Sequence, residues 1–245
     1  MSLFTYANPQ RFLRFVHYAL IPVLVIGALT SAIGLYAAFA FAPADYQQGE
    51  TVRIMYIHVP AAWLSMACYG LMALSSIGTL VWRHPLADVS ARAMVPIGAC
   101  FTIICLVTGS LWGRPMWGTW WVWDARLTSV LVLFLIYCGI LALWNAFEDP
   151  ARAGRAAAVM TLVGAINLPI VKFSVDWWNT LHQPASVFRM GGPTIDKSML
   201  WPLFLVAIGM TIFMIGLHLA GMRNEILQRR LRTMRLMAVS GDNHA

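Results

Sequence analysis

The sequence predicts an all-α integral membrane bundle of six transmembrane helices, with both termini cytoplasmic and a tryptophan-rich loop on the outer face. Three observations carry this. Of 245 residues, 60% are hydrophobic and only 11% charged, against about 25% charged in a soluble domain. The mean hydropathy is +0.69. Six apolar runs each reach the ~20 residues that a helix needs to cross a bilayer.

The spans are expected near 18–42, 56–82, 93–112, 127–146, 156–174 and 200–222. In lipid the backbone must satisfy its own amides, so each is read as a helix. Together they make one membrane domain over 1–225, followed by a basic cytoplasmic tail over 226–245. Pro60 suits the first turn of the second span, and Pro96 and Pro169 are expected kinks. Arg11, Arg14 and the Ala40-Phe41-Ala42 triplet resemble a signal peptide. The apolar stretch of about 25 residues exceeds the usual 7–15 of such a segment, so it is read as a span.

Charge sets the orientation. Arg11, Arg14, Arg83, Arg92, Arg152, Arg155, Arg223, Arg229, Arg230, Arg232 and Arg235 fall on one side of a six-span chain. Arg53, Arg114, Arg126, Lys172, Arg189 and Lys197 fall on the other. The richer side is cytoplasmic. The net charge of +7 thus reports loop orientation and membrane lipid rather than nucleic acid. The four cysteines lie in apolar runs without a CxxC pair, which excludes a zinc site or covalent haem attachment by that motif. No GxxxxGK phosphate loop occurs, so nucleotide energy would come from another chain.

The outer side collects aromatic and imidazole groups. Trp112, Trp117, Trp120, Trp121 and Trp123 crowd the third loop, and Trp177, Trp178 and Trp201 flank the fifth; the inner side has Trp82 and Trp144. An aromatic belt would decorate both interfaces. A one-sided cluster also suits a flat conjugated ligand, since indole faces offer stacking area. Gly113 and Gly118 permit close backbone approach. Asp124 reads either as the cap of the fourth span or as a group orienting a neighbour, and Arg126 as an interface anchor. His17, His84, His218 and His244 lie toward the inner side. His58, in IHVPAAW, and His182, in WWNTLHQP, face the side of the tryptophans. Two histidines from separate segments beside an aromatic shelf fit axial ligation of haem iron. Outer arginines suit haem propionates, although solvated loop charge explains them equally well.

WGTWWVWD matches the WGxxWxWD signature of the tryptophan-rich (WWD) haem-handling membrane proteins of cytochrome c biogenesis. The longer TGSLWGRPMWGTWWVWDARLTS, with FAPADYQQG, IHVPAAW, NLPIVKFSVDWWNTLHQP and the six-span layout, resembles the cytochrome c maturation protein C (CcmC) family over nearly the whole chain. The resemblance implies a non-enzymatic subunit of the bacterial inner membrane that carries haem b transiently and non-covalently. It implies His58 and His182 as axial ligands, with a platform of Trp117, Gly118, Trp120, Trp121, Trp123 and Asp124. It also implies delivery to a periplasmic haem chaperone (CcmE-like). The implied partners are an ATP-binding subunit (CcmA-like), a second membrane subunit (CcmB-like) and a small single-span subunit (CcmD-like). Three other readings remain open from the residues alone. They are a b-type cytochrome serving quinone, an assembly subunit with anchoring tryptophans, and a small-molecule transporter. No histidine falls at mid-membrane as the first would want, and no broken polar helix as the last would want.

Overall fold

The computed structural model describes residues 8–242, with side chains through 238. His244, expected to be incidental, lies outside them. The described residues form seven α-helices and no strand. They are α1 (Pro9–Ala40), α2 (Met55–Val81), α3 (Pro85–Trp117), α4 (Ala125–Ala146), α5 (Pro150–Gly164), α6 (Asn167–Trp177) and α7 (Lys197–Asp242). A 3-10 turn, Glu50–Ile54, leads into α2. Six helical units are long and apolar enough to cross a membrane, α5 and α6 together making one of them.

Local chemistry explains most helix starts. Asn8, His84 and Asp149 each accept an amide hydrogen bond two residues on, and each precedes a proline at the first helical position. Proline loses nothing there, because its missing N–H would be unpartnered anyway. These caps place three starts earlier than hydropathy alone does. The first span begins at Pro9, the third at Pro85 and the fifth at Pro150. Arg92, Arg152 and Arg155 therefore stand on helices rather than in loops.

The prolines behave unequally. Pro169 breaks its span as expected: the Ala165 carbonyl would be partnered by the amide of residue 169, and Leu168 donates to it instead at 3.1 Å. Asn167 Nδ2 secures this break to α4 through the Ser129 carbonyl, at 2.9 Å. The helix is not interrupted at Pro96. Pro60 lies in the second turn of α2, not the first, because the helix already starts at Met55.

The α1–α7 pair is antiparallel and close. Gly27 faces Phe213, Gly34 faces Val206, Gly209 faces Ser31 and Gly216 faces Leu24. A Cβ at Gly34 would stand 2.8 Å from the Val206 amide nitrogen, and at Gly27 and Gly209 closer still to backbone. In a membrane, small residues at such crossings let helices gain dispersion contacts that lipid would otherwise supply. The main core lies among α2, α3, α4 and α5, around Met72, Met94, Leu133 and Ile140. Two buried tyrosines cross it edge to face, 5.2 Å between ring centres. Tyr69 donates to the Thr161 carbonyl at 3.0 Å and Tyr137 to the Ser65 carbonyl at 2.8 Å. Gly164 and Gly98 leave the space these hydroxyls occupy.

Alternating helix direction collects the 41–54, 118–124 and 178–196 connections at one end of the bundle. At the other end, Arg229 bridges Glu225 (2.6 Å) and Asp88 (2.7 Å), and Arg92 reaches Glu225 (2.9 Å) while lying over the Trp144 ring. This joins α3 to α7. α7 continues unbroken through the expected tail to Asp242, where Arg232 donates to the Glu148 carbonyl at 2.6 Å.

Gly27→Leu and Gly209→Leu should each cost the ~1–3 kcal/mol of overpacking, read as a lower thermal midpoint by circular dichroism in detergent. Gly70→Ala, with open space around it, should not. Glu225→Ala leaves two guanidinium groups facing each other, and its loss should fall between the ~1 kcal/mol of an exposed pair and the ~3–5 kcal/mol of a buried one.

Candidate haem-binding site

The chain between α3 and α4 is fixed at both edges. α3 runs to Trp117, five residues beyond the expected end, so Trp112, Gly113 and Trp117 stand on its last turns rather than in the loop. Gly118 ends it with φ +76°, a left-handed conformation that favours glycine. Its amide donates to the Arg114 carbonyl at 3.1 Å, and the Arg114 side chain donates to the Gly118 carbonyl. Ser110 donates to the Trp120 carbonyl at 2.8 Å, strapping the loop back onto α3. At the far edge Asp124 caps α4, its Oδ1 accepting from the Leu127 amide at 2.8 Å. Its Oδ2 is buried without a partner among the described residues, as is the indole N–H of Trp121.

A cavity of about 120 Å3 opens at this end. His58, Arg126, His182, Trp112, Trp117 and Trp121 line it, with Gln48 from the α1–α2 connection. Sites that enclose a drug-sized ligand run about 300–1,000 Å3, so a macrocycle would be only partly housed here. The tryptophans of the motif divide. Trp117 and Trp121 line the cavity, whereas Trp120 and Trp123 are 54% and 75% exposed and outside its lining. Trp121 and Trp123 meet edge to face, 5.5 Å between centres, and do not form one flat shelf.

The two histidines converge from different elements. His58 sits one turn into α2, and His182 in the 178–196 connection, half-buried. Their ring centres are 6.5 Å apart and the planes 34° from parallel. Trp112 lies edge-on to His58 at 5.7 Å, and Trp117 stands 6.4 Å from His182. The Trp112 indole donates to Gln48 Oε1 at 2.9 Å, drawing the α1–α2 connection over the cavity. His58 Nδ1 meets the Thr108 hydroxyl at 3.0 Å. Gly109 makes the seat for its ring: a Cβ there would stand 2.9 Å from His58 Cε1. His182 Nδ1 is 2.9 Å from the Gln183 carbonyl, to which it donates. Burial holds this imidazole below the usual range; the Gln183 carbonyl opposes the shift and the Arg126 charge adds to it. The ring is therefore neutral at neutral pH, the form that binds metal.

Arg126 is more than an interface anchor. Its Nε donates to Ser174 Oγ at 2.7 Å and its Nη2 to the Lys172 carbonyl at 3.3 Å. Among the described residues it makes no ion pair, so a cavity-lining guanidinium is held by neutral acceptors. His17, His84 and His218 stay away from this site, His84 as the cap of α3 and His218 beside Ser90. Sequence reasoning missed Gln48, Thr108 and Gly109. All three lie inside recognised segments, Gln48 in FAPADYQQG and Thr108 and Gly109 at the start of TGSLWGRPMWGTWWVWDARLTS, but nothing in those segments pointed to the contacts with Trp112 and His58.

The family model described as Heme exporter protein C matches residues 2–237. The chain is 64% identical over 240 residues to a Heme exporter protein C of Bradyrhizobium diazoefficiens, covering 98% of this chain and 91% of the relative. It is 47% identical over 226 residues to one of Escherichia coli K12, covering 92% and 91%. A ccmC-like mitochondrial protein of cytochrome c biosynthesis from Marchantia polymorpha is 51% identical over 176 residues, covering 72% and 74%. A family match over almost the entire length, joined to relatives far above 30% identity, makes this chain a member of the Heme exporter protein C family.

Proposed function

We propose that the chain binds haem at the connecting-loop end of the bundle and hands it on for c-type cytochrome assembly. The spacing of the two imidazoles carries this reading. Bonds from an imidazole nitrogen to a first-row metal run about 2 Å, so two axial rings on one iron have centres roughly 6 Å apart. The ring centres of His58 and His182 are 6.5 Å apart. A macrocycle plane passes between them with its iron in the cavity. Much of its face extends past the cavity toward the exposed Trp120 and Trp123.

The site's unsatisfied groups suit such a cargo. Arg126 makes no ion pair among the described residues, although Asp124 and Asp176 lie near enough to act on its charge, and a propionate is a planar bidentate partner for it. The Trp121 N–H, on a residue that lines the cavity, is buried and without a hydrogen-bond partner among the described residues. Haem b is held through these contacts and iron ligation, without covalent attachment. The charge bias of the loops supports a periplasmic position for this end in the bacterial inner membrane, with the termini cytoplasmic.

Release follows from the unlike mounting of the ligands. His58 is on a packed helix, and His182 is on a connection between α6 and α7. Movement of that connection removes one axial bond and leaves haem on one ligand. A haem chaperone of the CcmE type takes the cargo. CcmA-like and CcmB-like subunits and a small CcmD-like subunit bias the chain toward a weaker-binding conformation. ATP hydrolysis can do this only through differential affinity for two states. No chemical step falls to this chain.

The purified protein, grown haem-replete, should show a Soret band that is weakened or shifted in both His58→Ala and His182→Ala. An unchanged spectrum in both variants would sink the ligand assignment. Arg126→Ala should weaken haem binding while leaving affinity for haem dimethyl ester, which lacks the propionate charges, nearly unchanged. Equal losses for the two ligands would mean that Arg126 supports the fold rather than the cargo.

A further inference from the structure

We infer that Thr108 is a positioning residue for haem ligation, its hydroxyl fixing the tautomer and ring plane of His58 so that Nε2 is presented to iron. This rests on the haem reading above and adds a residue from a third helix to it. A threonine inside a helix commonly returns its hydroxyl to the carbonyl one turn back. Thr108 does so: its Oγ1 donates to the Ile104 carbonyl at 2.6 Å, with the Cys105 carbonyl at 3.3 Å. A hydroxyl has one hydrogen. With that hydrogen committed to a carbonyl, Oγ1 can only accept from His58 Nδ1, 3.0 Å away, and the Cys105 carbonyl one turn back is a second backbone acceptor facing the same ring.

The consequence is chemical rather than steric. The Nδ1 of His58 carries the proton, and in neutral imidazole the lone pair is then on Nε2. Thr108 and Gly109 are adjacent on α3, so one turn of helix supplies both the acceptor and the empty space for the ring. Hydrogen bonding of the far ring nitrogen is a general means of orienting a metal-ligating histidine and raising its donor strength. His182 obtains the same service from the backbone of its own neighbour, Gln183. The two ligands thus share a tautomer but not a mounting. His58 is held across helices, by a residue fifty positions away.

The test is haem titration of the purified full chain in detergent. It uses wild type, Thr108→Val, Thr108→Ala, Thr108→Ser and His58→Ala, with low-spin ferric electron paramagnetic resonance and the reduction midpoint read on each. Valine keeps the shape and alanine leaves extra room, but neither accepts a hydrogen bond; serine does. Val and Ala should bind haem about 10–100-fold more weakly, with altered g values and a raised midpoint, since a less basic imidazole favours ferric iron less. Ser should retain the wild-type values. Val and Ala indistinguishable from wild type, against a band that His58→Ala abolishes, would overturn this inference and leave the haem reading standing. Ser as impaired as Val would also overturn it, assigning the effect to packing. A wild type with no His58-dependent band would remove the haem reading, and this inference with it.

Discussion

An amide left unpaired in hydrocarbon has no water to turn to, and the cost is several kcal/mol per group. That constraint governs this chain. It forces the apolar runs into helices and pushes irregular backbone to the two ends. At one end lie short linkers, as at 82–84 and 147–149. At the other, three longer connections gather, and each contributes to the cavity. The site lies where the helical ladder is released, with helix ends fixing its edges. Asp124 shows the economy of this. One carboxylate oxygen closes the α4 ladder and the other is buried without a hydrogen-bond partner among the described residues.

Within the bundle, glycine does opposite jobs at different depths. Gly27, Gly34, Gly209 and Gly216 bring α1 and α7 into backbone contact. Gly98 and Gly164 instead admit tyrosine hydroxyls, and Gly109 admits an imidazole. The first set trades side-chain volume for packing and the second for polar groups that must find acceptors inside the membrane. The His58 ring is thereby inserted between α2 and α3 rather than perched on the surface.

Hydropathy made six spans legible because the energetics of transfer scale with apolar length. It located their ends poorly, since ends are set by caps such as Asn8 and His84 and by proline, whose signals are one or two residues long. The split at Ala165–Ile166 was readable from Pro169. The continuity of α3 through Pro96 was not, because neighbouring packing decides whether a proline interrupts. His58, His182 and the tryptophan motif stood out by composition and resemblance. Their grouping into lining and non-lining residues did not, since it depends on the rotation of α3 and on the path of seven loop residues. Thr108 opens the recognised TGSLWG stretch, yet its role was not legible there for a plainer reason. A threonine in an apolar run is ordinary, and only the register of α2 against α3 gives it a partner.

The distribution of charge pairs completes the physical picture. Among the described residues, the ion pairs that join separate helices all lie at the end away from the cavity, where Arg92, Glu225, Arg229 and Asp88 join α3 to α7. At the cavity end, the only ion pair among them is the local one of Arg53 with Glu50. Arg126 donates there to a serine hydroxyl and a backbone carbonyl and makes no ion pair among the described residues, while Asp124 and Asp176 act on its charge from farther off. A guanidinium already paired with a carboxylate would have to exchange one anion for another, at little net gain. One held by neutral acceptors keeps its electrostatic attraction for an incoming anion. Placing the interhelical ion pairs at one end therefore joins the bundle without drawing the cavity-lining Arg126 into a salt bridge.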